Sequence, residues 1–225
     1  MAKIDFASSR GLLALQLFSA QLVKFGAFFP RRHAEQTDPP VTPIHFEFRH
    51  LQSPEFNAWE ISARLQRSFR ETVNQIGFDV LCGIPDSGIP ITNICATSYK
   101  PLPAPIIQLG KSEAHGTQRV DTIVDRAHTT RDNIVLLVDD IIATAHSKAE
   151  TIELLRTNGL IVNTLFVIVD LQMGGVKTLE RIGVHVQALY TLSELTEFYF
   201  GQNLISEAIQ RDVQEHIRSS TQNSQ

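Results

Sequence analysis

Ile134-Val-Leu-Leu-Val-Asp-Asp-Ile-Ile-Ala-Thr-Ala-His-Ser147 is the stretch on which the fold turns. The unbroken apolar run Ile134–Val138 is the strongest strand signal in the chain, and such a run means burial on both faces, as in a parallel sheet. It ends in two adjacent carboxylates, Asp139 and Asp140. A short loop bearing the hydroxyls of Thr144 and Ser147 follows, and then a helix. Carboxylates at a strand end can accept hydrogen bonds from the two hydroxyls of a ribose. A loop at a helix N-terminus can turn backbone N–H groups toward a phosphate. Read alone, the two acids equally fit a metal site or a solvated strand end.

Working outward, the pattern alternates. Toward the C-terminus the sequence predicts a helix ending at Asn158-Gly159, a strand Thr164–Val169, a helix Gly175–Ile182 and a strand His185–Leu189. Helices Leu192–Phe200 and Leu204–Arg218 and a polar tail follow. Toward the N-terminus lie a polar segment Gly110–Asn133, a strand Ala104–Leu109, a helix to about Ser98, a turn Gly83–Gly88 and a strand Phe78–Cys82. Ser53-Pro54 opens a helix expected to reach Gln75, with Trp59, Ile61, Leu65, Phe69 and Val73 at helical spacing, and Gly77 ends it. Before it, strands Lys24–Phe29 and Ile44–Arg49 flank the polar loop Arg31–Pro43. The first helix carries Leu12, Leu15, Phe18 and Leu22, with Ser8 or Ser9 as cap.

Strands alternating with helices imply an α/β fold with a doubly wound, mostly parallel sheet, preceded by a small helix/strand hood. Ligands in such sheets bind outside the carboxyl ends of the strands, so the residues after Cys82, Leu109, Val138 and Val169 matter most. We expect one domain over 1–225, with the hood at 1–50, the core at 51–200 and a C-terminal helix and tail at 201–225.

Hydrophobic residues make up 43% of the 225, enough for a proper core, and the net charge of −4 gives no support to a nucleic-acid partner. Cys82 and Cys95 sit in apolar runs without metal-like spacing and read as reduced core thiols, the pattern of a cytoplasmic protein. No segment approaches the ~18 uninterrupted apolar residues of a membrane helix. Gly11–Val23 is apolar but holds Gln16 and Gln21 and has no small-residue cleavage site, so a signal peptide is the weaker reading.

The acid-pair segment resembles the phosphoribosyl pyrophosphate (PRPP) signature of type I phosphoribosyltransferases, and wider matches resemble orotate phosphoribosyltransferase. They are Val23-Lys-Phe-Gly26, Thr42-Pro43 with Phe46, Leu81-Cys-Gly-Ile-Pro85 with Gly88-Ile-Pro90, His115-Gly116-Thr117, Asp170-Leu-Gln-Met-Gly-Gly175 and Tyr190-Thr-Leu-Ser193. They run in order over roughly 12–200. The resemblance implies the type I fold, a homodimer, and the reaction of orotate with PRPP, accompanied by Mg2+, to orotidine monophosphate and pyrophosphate. It makes Lys24, Phe46, Asp139, Asp140, Thr144 and Ser147 the ligand-binding candidates, and it implies no residue that ligates metal directly.

The departures from the family pattern fall on chemistry. Where the resemblance implies an Arg, a Lys and a catalytic Lys in the mobile loop stand Leu109, Gly110 and Glu113, and the last change reverses a charge. Lys111 and His115 are the remaining catalytic candidates. Ser87 stands where bacterial members commonly have Lys in the pyrophosphate turn. Ala143, Ala145 and His146 replace a hydroxyl, a glycine and a hydroxyl in the phosphate loop, and Leu171 replaces the Arg that grips the orotate carboxylate. Weak or absent orotate phosphoribosyl transfer is therefore expected, with a nucleotide or a protein partner as the ligand. The alternatives are a working enzyme with compensating cations from Lys111, Arg119 or Lys100, and a phosphoribosyltransferase for another base, since Leu171 suits an uncharged acceptor. The loop residues Arg31, Arg32 and His33 form a basic run that reads as a solvated loop, or less readily as an anion or partner site. His115 and His146 fit chance placement better than metal or acid–base work.

Overall fold

The computed structural model describes residues 4–28, 41–51, 58–98, 103–114 and 117–222. Helix α1 (Ser9–Ser19) precedes an antiparallel pair, β1 (Val23–Phe28) and β2 (Thr42–Phe46). Helix α2 (Ala58–Val73) leads into β3 (Val80–Gly83), α3 (Gly88–Ala96), β4 (Ile106–Ala114) and β5 (Thr117–Asp125). Then come β6 (Ile134–Ile142), α4 (His146–Thr157), β7 (Ile161–Asp170), α5 (Gly175–Glu180), β8 (His185–Thr191), α6 (Leu192–Gly201) and α7 (Glu207–Gln222).

The main sheet runs β5-β4-β3-β6-β7-β8, parallel throughout except for β5, which is antiparallel to β4. From β3 the chain steps outward to β4 and β5, whereas from β6 it steps the other way to β7 and β8. The boundary between β3 and β6 is thus the topological switch point, where a crevice opens beyond the strand ends.

Alternation along the buried strands divides the core. Leu81, Leu136, Val138, Phe166 and Ile168 pack with residues of α1, α2, α3 and α6, and Phe69 meets Phe166 edge-on at 5.0 Å between ring centroids. Val80, Cys82, Val135, Leu137, Leu165 and Val167 pack with residues of α4 and α5 on the other face. Both cysteines are buried as free thiols, and burial pushes the Cys82 thiol up to about 12. No helix among the described residues is long and apolar enough to cross a membrane.

Four expectations need correction. The segment 110–133 is not simply a polar connection: β4 continues to Ala114 and β5 folds back on it, burying Leu109 and packing Val120 and Ile123 on the core. The β-branched residues Val120, Thr122, Ile123 and Val124 are the strand signal that the charges obscured. Strand β6 extends beyond Val138 to Ile142, so the acids lie within its ladder, with Asp139 opposite Val167. Trp59 is 77% exposed because it lies across α2 from the buried stripe Ile61, Leu65, Phe69 and Val73. In α1 the buried positions are Leu13, Ala14 and Leu17, with Leu15 and Phe18 at the edge of the core. Ser8 caps that helix by accepting from the Gly11 N–H at 3.0 Å.

Candidate functional site

At the switch point α3 approaches β6 with no side chain between them: a Cβ on Gly88 would stand 2.5 Å from the Val138 carbonyl oxygen. The turn after β3 and the loop after β6 therefore face each other. Between these loops, the β1–β2 hood and α7 lies a cavity of about 880 Å³.

Lys24 and Phe46 from the hood, Ser87 from the β3 turn, Asp140 from β6, Ser147 from α4 and Leu171 from the end of β7 all line this cavity. Six residues far apart in sequence thus converge on one space. Leu171 is held by its own N–H, which donates to the Ile142 carbonyl at 2.9 Å. Asp139 and Thr144 are not among the described residues of the wall. Thr144 is exposed, and Asp139 is buried.

Asp139 has internal partners. Its Oδ1 accepts the Asp140 N–H at 2.9 Å, and its Oδ2 stands 2.7 Å from Lys148 Nζ. The side chains of Lys148 and Asp139 are only 9% and 7% exposed. Asp140 Oδ1 accepts the Ile141 N–H at 2.7 Å. Burial pushes the Asp140 carboxyl up to about 7, with the neighbouring Asp139 charge adding to the rise and Lys148 opposing it.

The loop between β6 and α4 turns on Ala145, the residue before α4, at φ 71° and 4% exposure. This is the left-handed conformation that glycine adopts without strain. On the other side of the crevice, Lys111 Nζ lies 3.0 Å from Asp86 Oδ2, so this lysine reaches the turn after β3. His115 and the side chain of Glu113 lie outside the described residues, as do Lys100 and the Arg31–His33 run. His146 lines a separate groove between α4 and α5.

The hood adds groups that the sequence reading passed over. Glu47 is bridged by His45 at 2.7 Å and His50 at 3.4 Å, and all three line the cavity with Arg49 and, from α7, His216. Burial raises the Glu47 carboxyl, but the hydrogen bond and charge of His45, with Lys24 and His50, outweigh this and hold it below its usual range. Lys148 was also missed, although a signal existed. It opens the buried stripe Lys148, Thr151, Ile152, Leu155 of α4, a place for an apolar residue. Among the described residues no group of three or more His, Cys, Asp or Glu side chains is placed to hold a metal ion.

A crevice at the switch point, with an acid among the last residues of the central strand and a helix-opening loop after it, is the arrangement of a phosphoribosyltransferase. The family model of the phosphoribosyl transferase domain matches residues 56–177. Within that class the chain belongs to the orotate phosphoribosyltransferase family. It is 30% identical over 163 residues to the orotate phosphoribosyltransferase of Saccharolobus solfataricus, covering 72% of this chain and 76% of that one. It is also 26% identical over 211 residues to the uridine 5'-monophosphate synthase of Bos taurus, covering 92% of this chain but 41% of the synthase, so the chain spans about two fifths of that relative's length. The crystal structure of orotate phosphoribosyltransferase from Aeropyrum pernix superposes with a TM-score of 0.64 at 25% identity, covering 84% of this chain and 98% of that one.

Proposed function

We propose that this chain serves pyrimidine nucleotide metabolism by holding a ribose phosphate or nucleotide at Asp140, and that it transfers phosphoribosyl to orotate weakly or not at all. The observation that carries this reading is Leu171 in the cavity wall, an apolar side chain where an orotate carboxylate would need a cation. A carboxylate stripped of water against that side chain is disfavoured unless it turns to Lys24 or Arg49, which line the same cavity. Ala145 gives this loop a strained left-handed turn where glycine would be free, with its methyl packed in the core cluster that includes Ile142 and Ile152. Lys24 and Asp140 remain in the wall as binding groups. Phe46 and Ser147 complete the proposed pocket, and Thr144 would reach a ligand only from the exposed side of the loop. PRPP would enter with Mg2+ bound to its own diphosphate oxygens, an ion that offsets charge as pyrophosphate departs.

One observation favours a second reading, a working enzyme. Lys111 reaches the turn after β3 and could meet departing pyrophosphate there, at the cost of its contact with Asp86. Incubating the protein with PRPP, Mg2+ and either orotate or an uncharged base decides between these readings. We expect calorimetric binding of PRPP and little orotidine monophosphate. Robust product from orotate would establish the second reading, and product from an uncharged base alone would identify a different acceptor.

The same proposal includes one domain with the hood at 1–50 and the C-terminal helix and tail at 201–225, a homodimer, and a cytoplasmic location. The exposed Trp59 on α2 and Ile89 on α3 support a covering partner copy, and the two unpaired buried thiols support a reducing compartment. Light scattering that shows only monomer at high concentration would remove the dimer.

A further inference from the structure

We propose that Lys148 is the positioning residue of the acid pair: it takes Asp139 as an internal counter-ion, so that Asp140 alone is presented to a vicinal diol. The second half of this inference rests on the ribose-phosphate reading above. The first half stands on the buried pair itself.

Asp139 has no oxygen without a partner: Oδ1 accepts the Asp140 N–H and Oδ2 faces the Lys148 ammonium. Asp139 is also absent from the described wall of the cavity, which Asp140 lines. A buried lysine and a buried carboxylate are each tolerated only when paired, so each of these groups requires the other. Lys148 is, moreover, the third residue of α4, at the positive end of the helix dipole, where a cation is disfavoured. Helix formation therefore does not explain a lysine at this position, and the carboxylate opposite it does. One carboxylate suffices for a diol, since its two oxygens together offer about four lone-pair sites.

The pairing also sets the charge of Asp140. The groups that face Asp140 are Asp139 on its own strand, Lys148 from α4, and Lys24, His45, Glu47, Arg49, His50 and His216 across the cavity. Asp139 opposes ionisation of Asp140, and Lys148 promotes it. Loss of the ammonium alone leaves two adjacent carboxylates uncompensated, and they then compete for a proton. Loss of both charges removes the larger opposing influence and frees Asp140 to ionise at lower pH.

Side-chain carboxyl 13C NMR titration of the ligand-free protein tests the assignment. The upper midpoint of the Asp139–Asp140 pair should rise by at least one pH unit in Lys148→Met, and the Asp140 midpoint should fall below that of the unmodified protein in Asp139→Asn/Lys148→Met. The double variant keeps the test open if Lys148→Met fails to fold. Midpoints that stay within 0.3 units in the variants that fold would overturn the proposal, because a lysine that merely fills space does not move them. Calorimetry with ribose 5-phosphate adds the functional arm. Its affinity should rise with pH through the Asp140 midpoint, that rise should shift upward in Lys148→Met, and Asp140→Asn should bind at least tenfold more weakly above that midpoint and show no such rise. Retained affinity in Asp140→Asn would overturn the single-acid presentation. Failure of ribose 5-phosphate to bind the unmodified protein would remove the ribose-phosphate reading, while the NMR midpoints would still decide the role of Lys148.

Discussion

Gly175 is pressed against Ala143: its N–H donates to the Ala143 carbonyl at 2.8 Å, and a Cβ at position 175 would stand 2.3 Å from that same oxygen. The first residue of α5 thus buttresses the loop between β6 and α4, the loop that would face a phosphate. The obstructing atom belongs to the backbone, so a side chain here cannot be accommodated by a rotamer change. Gly175→Ala should destabilise the fold by about 1–3 kcal/mol, as overpacking does. Chemical denaturation reads this directly, and an unchanged midpoint would show that the two segments separate freely.

Ala145 holds a left-handed conformation at φ 71°, which costs an L-residue about 1–2 kcal/mol. Ala145→Gly relieves that strain, at the expense of greater freedom in the unfolded chain and the loss of one buried methyl. A net gain of about 0.5–1 kcal/mol is expected. A fall in melting temperature would mean that methyl packing outweighs backbone strain.

Asp140 makes stability depend on pH in an unusual direction for a carboxylate. Its folded-state value of about 7 lies above the ~3.9 of a free aspartate. Between about pH 4 and 7 the folded protein therefore holds a proton that the unfolded chain has released, and this group's contribution to stability is lost as pH rises through that window. Asp140→Asn should be more stable than the unmodified protein at pH 8, on the order of 1 kcal/mol, with the difference vanishing near pH 4. An Asn variant less stable at pH 8 would show that the carboxylate is well compensated when ionised.

The two halves of the sheet were legible in the sequence for different reasons. Buried parallel strands announce themselves as apolar runs, so Ile134–Val138 and its neighbours were readable, and the turn glycines marked the loops between them. Strand β5 was not, because an edge strand exposes one face and its Arg119, Asp121 and Asp125 resemble a loop in composition. Lys24, Phe46, Asp140, Ser147 and Leu171 were readable from the resemblance and converge on one cavity. The burial of Asp139 behind that wall was not readable, since adjacent residues of a strand face opposite ways and only the packing of α4 decides which one meets solvent. The Glu47 bridge to His45 and His50 was equally hidden, as it depends on the turn following β2.

The last prediction concerns turnover. Unmodified protein with orotate, PRPP and Mg2+ should give little or no orotidine monophosphate, and Glu113→Lys alone should help little, because two other points impair binding. Glu113 carries a negative charge where, by the resemblance, a cation meets the departing pyrophosphate, and like charges repel at close range. By the same resemblance, Leu171 stands where a cation would meet the acceptor carboxylate, and Ala143 and Ala145 stand where the 5′-phosphate loop has a hydroxyl and a glycine. A lysine at Gly110, which the sequence alone would also recommend, would crowd the hairpin: its Cβ would stand 2.5 Å from Thr122 Oγ1, so Thr122 would have to turn. The combination Glu113→Lys, Ala143→Thr, Ala145→Gly and Leu171→Arg should instead yield measurable product by a spectrophotometric assay of orotate consumption. Turnover of ~1 s⁻¹ or more by the unmodified protein, an ordinary enzyme rate, would defeat this account. Lys111 would then be the first residue to test, since it already reaches Asp86 in the turn after β3, and Lys111→Ala should remove most of that activity.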